Sequence, residues 1–500
     1  MHIAFLNPQG NFNSRDSYWT EHPDFGGQLV YVKQVALAMA ELGQRVDILT
    51  RQIIDPHWPE FADQFDAYPG VENVRIIRLP AGPEKFLRKE ALWPYLVRDW
   101  VPHILEFYGE ELPDIFTAHY GDGGLCGALL EDATGVPFTF TGHSLGAQKM
   151  DKLHVTAGNL AELDAQFHFG ARLKAERLGM NRSGVNFTST TQERQEQYAH
   201  AAYHGAVEVA DDRRFAVVPP GVNLAIFGAT ARSANEEAVQ EQVQARLARD
   251  LPAERRELPA IIASSRLDPK KNHLALVRAF AQHPALQEQA NLVIFTGALA
   301  DPLRVNAEAS LTEIEVLASI RAVVEEYDLW GKISAFELRG QPSLAAAYRY
   351  LARRGSVFAL TALYEPFGLA PLEAAAAGLP VIVTQNGGPS ESLVDAETEY
   401  GVLVEPTELA DIARGLTRVL GDAESWAGFA ARGRQRVLDN YTWERTAAGY
   451  LVRMEKLLAA PAASRPAGRL PIHPYFRVPT AENAITLAEL AQLYFGKSAV

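Results

Sequence analysis

Short runs of β-branched and aromatic residues alternate with helix-period stretches along most of this 500-residue chain, often joined by Gly-rich or basic loops. That alternation constrains the fold more than any other feature. Strands separated by helices read as a parallel sheet covered on both faces, an α/β architecture. Residues 2–7 read as a first strand. Gly26-Gly27-Gln28 then opens a helix with Leu29, Val32, Val35, Met39 and Leu42 roughly on one face, and Gly43 is a stop signal. Residues 45–50, 138–141 and 184–189 read as further strands of the same sheet.

The pattern restarts after Val217-Val218-Pro219-Pro220-Gly221, a Pro/Gly boundary. Strands are expected at 260–264, 292–296, 332–336, 356–360, 381–384 and 401–404. Helices are expected at 272–282, 311–327, 343–352 and 409–420. This is a second α/β domain, so the domains are 1–217 and 218–440. Residues 235–257 are charged and Ala/Gln-rich and read as an inserted surface helix. Residues 459–469 are Pro/Ala/Ser-rich and read as a linker. A tail with a helical run near 486–494 completes the span 459–500.

A formal net charge of −14 argues against nucleic acid as a bulk partner, so a phosphorylated ligand would need local cations. The single cysteine, Cys126, lies in a small apolar run and reads as a buried packing residue. It can form no disulfide within the chain, which suits a reducing, cytoplasmic setting. The first residues lack the basic and apolar regions of a signal peptide, and no uncharged apolar run approaches a membrane span.

Four stretches carry chemistry. The first is Tyr364-Glu365-Pro366-Phe367-Gly368-Leu369-Ala370-Pro371-Leu372-Glu373, a turn between a strand and an Ala-rich helix. Carboxylates accept hydrogen bonds from vicinal hydroxyls, and a glycine at a helix start admits an anionic group to the backbone. Taken alone, the two acids are equally well a helix-terminal charge and a solvated side chain. The second is Ser265-Arg266-Leu267-Asp268-Pro269-Lys270-Lys271-Asn272, following a strand. Arg266 and Lys271 there could hold a diphosphate and stabilise the charge it gains on leaving, or form a plain solvated basic loop. The third is Gly26-Gly27, where a tight turn is the common explanation; it does not fit the G-x-G-x-x-G fingerprint. The fourth is Thr141-Gly142-His143-Ser144-Leu145-Gly146-Ala147-Gln148-Lys149. His143 could bond a sugar hydroxyl or carry a proton, although a structural histidine is the commoner case.

Together these motifs resemble the retaining GT-B glycosyltransferases, the family 4 type that includes sucrose synthase and sucrose-phosphate synthase. Glu365 and Glu373 match the family's E-x7-E motif, Arg266 and Lys271 its Arg/Lys pair, and Pro219-Pro220-Gly221-Val222-Asn223 the segment joining its domains. The resemblance covers roughly residues 1–457. It runs closest to bacterial sucrose-phosphate synthases through residues 5–10, 22–28, 119–124 and 141–149. It implies two Rossmann-like domains facing each other across a cleft, with residues 441–458 a helix crossing back to the first domain. It implies hinge motion near residues 218–221.

Roles follow from the matched positions. Arg266 and Lys271 would hold the nucleotide diphosphate, Glu373 the ribose and Glu365 the donor hexose. Backbone at Phe367, Gly368 and Leu369 would contribute donors, and main chain near Leu338 would meet the base. His143 would lie near the hexose 6-hydroxyl, and Gly26, Gly27 and Gln28 would line the donor–acceptor junction. Lys89 and Arg172 would receive the acceptor's 6-phosphate, with Tyr120, Ser144 and Lys149 completing a fructosyl pocket.

The expected reaction moves glucose from UDP-glucose to fructose 6-phosphate with retention. No cofactor or metal is expected beyond the donor nucleotide-sugar. One departure stands out: Ala171-Arg172 replaces two adjacent arginines, which keeps free fructose open as the acceptor. A mannosyl donor and a nucleotide-sugar-binding protein without turnover are the other readings. Base preference and oligomeric state are not legible in the sequence.

Overall fold

The computed structural model describes residues 1–19, 22, 25–305, 309–460 and 468–496. Most of the stretch read as a linker, and Pro23 and Asp24 of the second matched motif, lie outside them. The chain divides into two units, Met1–Pro219 with Trp443–Val500, and Pro220–Thr442.

The first unit is built on β1 (His2–Leu6), β2 (Arg45–Arg51), β3 (Phe65–Asp66), β4 (Val74–Leu79), β5 (Ile115–His119), β6 (Phe138–Thr141), β7 (Val185–Thr188) and β8 (Phe215–Val217). They form one sheet in the order β3-β4-β2-β1-β5-β6-β7-β8, parallel except for β3 against β4. The β1 side chains show why both faces must be covered. Ile3 and Phe5 join one apolar core and Ala4 and Leu6 the other. A strand buried on both sides reads as a continuous apolar run, as this one does.

The sequence reading omits β3, β4, β5 and β8. In β4 the residues Arg75 and Arg78 break the apolar run, yet Arg78 is fully buried. It donates to Asp66 Oδ2 at 2.7 Å and to the Phe12 carbonyl at 2.6 Å, so its charge is matched inside the fold.

The helix Trp443–Ala459 belongs to this first unit and packs on the helix Gly27–Glu41. The Tyr450 hydroxyl lies 3.0 Å from that of Tyr31 and 2.7 Å from Thr141 Oγ1, and its ring stacks on Phe187. Residues 468–496 also pack here, with Phe476 and Leu490 wholly buried in the core.

The second unit holds β9 (Ala260–Ser264), β10 (Asn291–Thr296), β11 (Ile333–Glu337), β12 (Val357–Leu360), β13 (Val381–Thr384) and β14 (Val402–Val404). Their order is β11-β10-β9-β12-β13-β14, parallel throughout. This is the doubly wound order in which chain direction across the sheet reverses between β9 and β12. Ligands bind at such a switch point, beyond the carboxyl ends of the strands.

The helix Glu236–Asp250 is not an inserted surface helix but part of the covering layer. Val239, Val243 and Leu247 are buried in the core it shares with Ile262 and Phe336. Three apolar residues at helical spacing were hidden among its charges. Glu236 at its start pairs with the buried Arg349, Nη2 to Oε2 at 2.5 Å.

Candidate functional site

In the second unit, the loops after β9 and β12 flank the switch point, and both predicted motifs lie on them. Asp268 accepts from the Lys270 amide at 2.9 Å and so starts the short turn Pro269–Lys271. Asn272 closes it in the left-handed conformation, φ 56°. The β12 loop is tied to this turn: the Leu363 amide donates to the Lys270 carbonyl at 2.9 Å and Thr361 Oγ1 to the Asn272 carbonyl at 3.1 Å. Lys271 and Glu365 thereby meet, Nζ to Oε2 at 2.6 Å. Arg266 is exposed and makes no ion pair among the described residues.

Glu365 is held by backbone on both sides. Its amide donates to Asn386 O and its carbonyl accepts from Gly388 N, each at 3.0 Å. Gly387 makes that approach possible: it has φ 102°, and a Cβ there would run into the Glu365 carbonyl oxygen. Gly368, at φ 95°, starts the helix Leu369–Ala376. Phe367 and Leu369 flank this start, where helix amides favour an anion. Glu373 lies one turn further along, half-buried, and burial pushes its carboxyl up to about 7. Leu338 follows β11, and its amide is already spent on the Thr296 carbonyl at 2.9 Å.

In the first unit, a cavity of about 140 Å³ is lined by Lys89, Tyr120, Ser144, Lys149 and Arg172 among others. All five predicted acceptor-pocket residues other than Gln28 therefore share one space. Gln28 is buried nearby, its Nε2 3.5 Å from the carbonyl of Gln9, which does line the cavity. The cavity is also lined by Gln9, Gly121 and Asp122, from stretches matched to the family but given no pocket role, and by Glu90, Trp93 and Phe167, which the sequence reading missed. Burial raises the Asp122 carboxyl to about 6.

Arg172 is anchored rather than mobile. Its Nε donates to Glu176 Oε1 at 2.9 Å and its Nη2 to the Ser144 carbonyl at 2.6 Å. Glu176 is fully buried and also accepts from the Gly146 amide at 2.9 Å and from the Tyr203 hydroxyl at 2.5 Å. The Arg172/Glu176 spacing of four on a helix was the available signal for this pair. Lys149 Nζ lies 3.7 Å from the centroid of the Phe167 ring and makes no ion pair among the described residues. Burial, then the neighbouring Arg172 charge, push its ammonium down to about 8.

His143, just past β6, sits in the left-handed region at φ 54°, and Tyr120, just past β5, at φ 63°. Non-glycine residues held there store strain, and such strain clusters at binding sites. His143 Nε2 lies 2.8 Å from Nδ1 of His119. His119 is wholly buried, stacks on Phe5, and its Nε2 has no partner among the described residues. A buried orphan lone pair costs less than a buried orphan N–H. The proton therefore belongs on His119 Nδ1, which donates to His143 Nε2 and leaves His143 with an N–H at Nδ1. Burial takes the His143 imidazole down to about 3. It is a neutral hydrogen-bonding group at physiological pH, which favours the hydroxyl-binding role over proton transfer. Gly26 is extended, and among the described residues a Cβ at Gly26 or Gly27 would meet nothing within 4 Å. No packing among the described residues requires glycine at either position.

Among the described residues, no cluster of three or more His, Cys, Asp or Glu could hold a metal ion, and no helix is long and apolar enough to cross a membrane.

Comparison with known proteins places this geometry. The model for the glycosyl transferase 4-like domain matches residues 26–221, and that for glycosyl transferases group 1 matches residues 244–436. The chain is 41% identical over 457 residues to a probable sucrose-phosphate synthase of Thermosipho melanesiensis, covering 91% of this chain and 97% of that one. It is 32% identical over 517 residues to the sucrose-phosphate synthase of Spinacia oleracea, covering 91% of this chain but 47% of the plant protein. The chain thus spans about half the length of the plant relative. The solved structure of sucrose-phosphate synthase from Thermosynechococcus elongatus superposes with a TM-score of 0.64 at 26% identity, covering 92% of this chain and 100% of that one. The expected GT-B fold and family are borne out: this chain is a glycosyltransferase and belongs to the sucrose-phosphate synthase family.

Proposed function

We propose that the chain transfers glucose from UDP-glucose to fructose 6-phosphate, giving sucrose 6-phosphate with retention at the anomeric carbon. One observation carries the acceptor choice: Lys149, a half-buried ammonium without an ion-pair partner among the described residues, shares a cavity with Lys89 and Arg172. Glu90 also lines the cavity and its charge acts on Lys149, but a phosphate there gives Lys149 the direct ion pair that it lacks among the described residues. Lys89 and Lys149 take the phosphate, and Tyr120 and Ser144 meet the fructosyl hydroxyls. Arg172 is held against Glu176 as a fixed donor.

On the donor side, Arg266 and Lys271 take the diphosphate, Glu373 the ribose and Glu365 the hexose hydroxyls. Lys271 and Glu365 are within ion-pair distance, so a diphosphate competes for the ammonium and turns Glu365 towards the sugar. The acceptor hydroxyl attacks the face from which the diphosphate departs, and a leaving phosphate oxygen takes its proton. The protein then supplies position and charge rather than a covalent nucleophile. His143 gives a neutral hydrogen bond to a sugar hydroxyl. A cytoplasmic location agrees with the lone buried Cys126.

Free fructose is the second reading. Ala171 supplies no charge, and Arg172 is committed to Glu176 and the Ser144 carbonyl. The test is nucleotide release from UDP-glucose with fructose 6-phosphate and with fructose, side by side. Release with the phosphate ester alone supports the proposal. Equal efficiency with fructose supports the second reading, and release with neither overturns both.

A further inference from the structure

The transfer chemistry leaves residues 468–496 without a role, yet this segment packs on three of the helices that line the acceptor cavity. The Tyr494 hydroxyl donates to Asp151 Oδ1 at 2.5 Å, two residues on from Lys149 in the helix Gly146–Lys152. Lys174 Nζ donates to Glu489 Oε1 at 2.8 Å, two residues on from Arg172 in the helix Phe169–Arg182. Ile485 packs over Gly170, at the start of that same helix. The helix Leu487–Phe495 also packs against the helix Leu160–Phe167, which ends in the ring beneath Lys149.

Two residues along a helix is a turn of about 200°, so the contacted positions lie opposite the cavity-facing ones. Both cation-bearing helices are therefore held between the cavity on one side and this segment on the other. The segment is itself well anchored. Phe476 and Leu490 are wholly buried, and Thr486 and Glu489 form a reciprocal cap at its helix start.

We propose that residues 468–496 brace the acceptor cavity, and that Tyr494 and Glu489 are positioning residues for the phosphorylated acceptor. This rests on the cavity being the fructose 6-phosphate site. Phosphate binding needs Lys149 and Arg172 to converge, and small displacements of such groups cost far more in binding geometry than in stability. The polar contacts of the brace are partly exposed, and such contacts contribute little to folding.

The test compares Tyr494→Phe, Glu489→Gln and the double variant with the wild type by initial rates. Phenylalanine keeps the ring that stacks on His200, and glutamine keeps the helix cap while weakening the bond to Lys174. The double variant is expected to raise KM for fructose 6-phosphate about five- to tenfold, with kcat and KM for UDP-glucose within about twofold. Circular dichroism and the thermal midpoint are expected to stay near wild type. An unchanged acceptor KM in the double variant overturns the brace, as does a parallel rise in donor and acceptor KM. A wild type that releases nucleotide with neither fructose 6-phosphate nor fructose overturns the cavity assignment, and the brace with it. Activity with fructose alone removes the phosphate from the proposal and overturns it as stated.

Discussion

Lys149 holds its ammonium against an aromatic ring and beside Arg172, and both burial and like charge favour losing the proton. Below about 8 the side chain is a cation and can bind phosphate; above it the charge is lost. The ratio kcat/KM for fructose 6-phosphate should therefore fall as pH rises through this region. The corresponding ratio for UDP-glucose at saturating acceptor should not share that limb. Lys149→Arg should move the limb to higher pH. Lys149→Gln should abolish it and lower acceptor kcat/KM at neutral pH about 10- to 100-fold, the worth of one hydrogen bond to a charged group. A pH profile of the two variants decides the matter, and an unshifted limb in Lys149→Arg would assign it to another group.

Among the elements, the helix Glu236–Asp250 shows how a charged stretch can be structural. Its apolar stripe covers the second sheet, and its first residue supplies the counter-ion for Arg349, which is 2% exposed. Arg349 also donates to the Ile226 carbonyl at 2.7 Å, so the pair links three parts of the second unit. Breaking a buried pair from one side leaves a charge with no partner. Glu236→Ala should therefore cost about 3–5 kcal/mol. Urea unfolding followed by a probe in the second unit would read it. A loss below about 1 kcal/mol would mean that solvent reaches Arg349 and that the pair is a surface one.

For the whole molecule, the assignments put the two substrates on different units, each with its own core. Ligand protection should therefore be local. UDP should slow amide exchange across residues 265–275 and 361–377, and fructose 6-phosphate across residues 143–152 and 167–176. Hydrogen exchange with each ligand alone separates the two. Protection of the first-unit cavity by UDP alone would overturn the division of labour.

The sequence by itself determined the class of fold, because the repeating order of strand, loop and helix is a local property written in hydrophobic period. It also pointed to the loops proposed here to carry chemistry, since Glu365, Arg266, Lys271 and His143 lie on segments that follow strands, and Glu373 on the helix after one, where a parallel sheet presents its loops. Residues 74–79 stayed illegible as a strand because Arg75 and Arg78 break the period, and only tertiary partners make Arg78 buriable. Glu176 and His119 were missed for the same reason. Each matters through a group distant in sequence, Glu176 through the Gly146 amide and His119 through the His143 ring. Lys89, Tyr120, Lys149 and Arg172, which the family resemblance grouped, share one cavity, while tertiary structure alone decided that residues 468–496 pack behind it. The burial and neighbouring charge that depress the Lys149 ammonium exist only once distant segments meet.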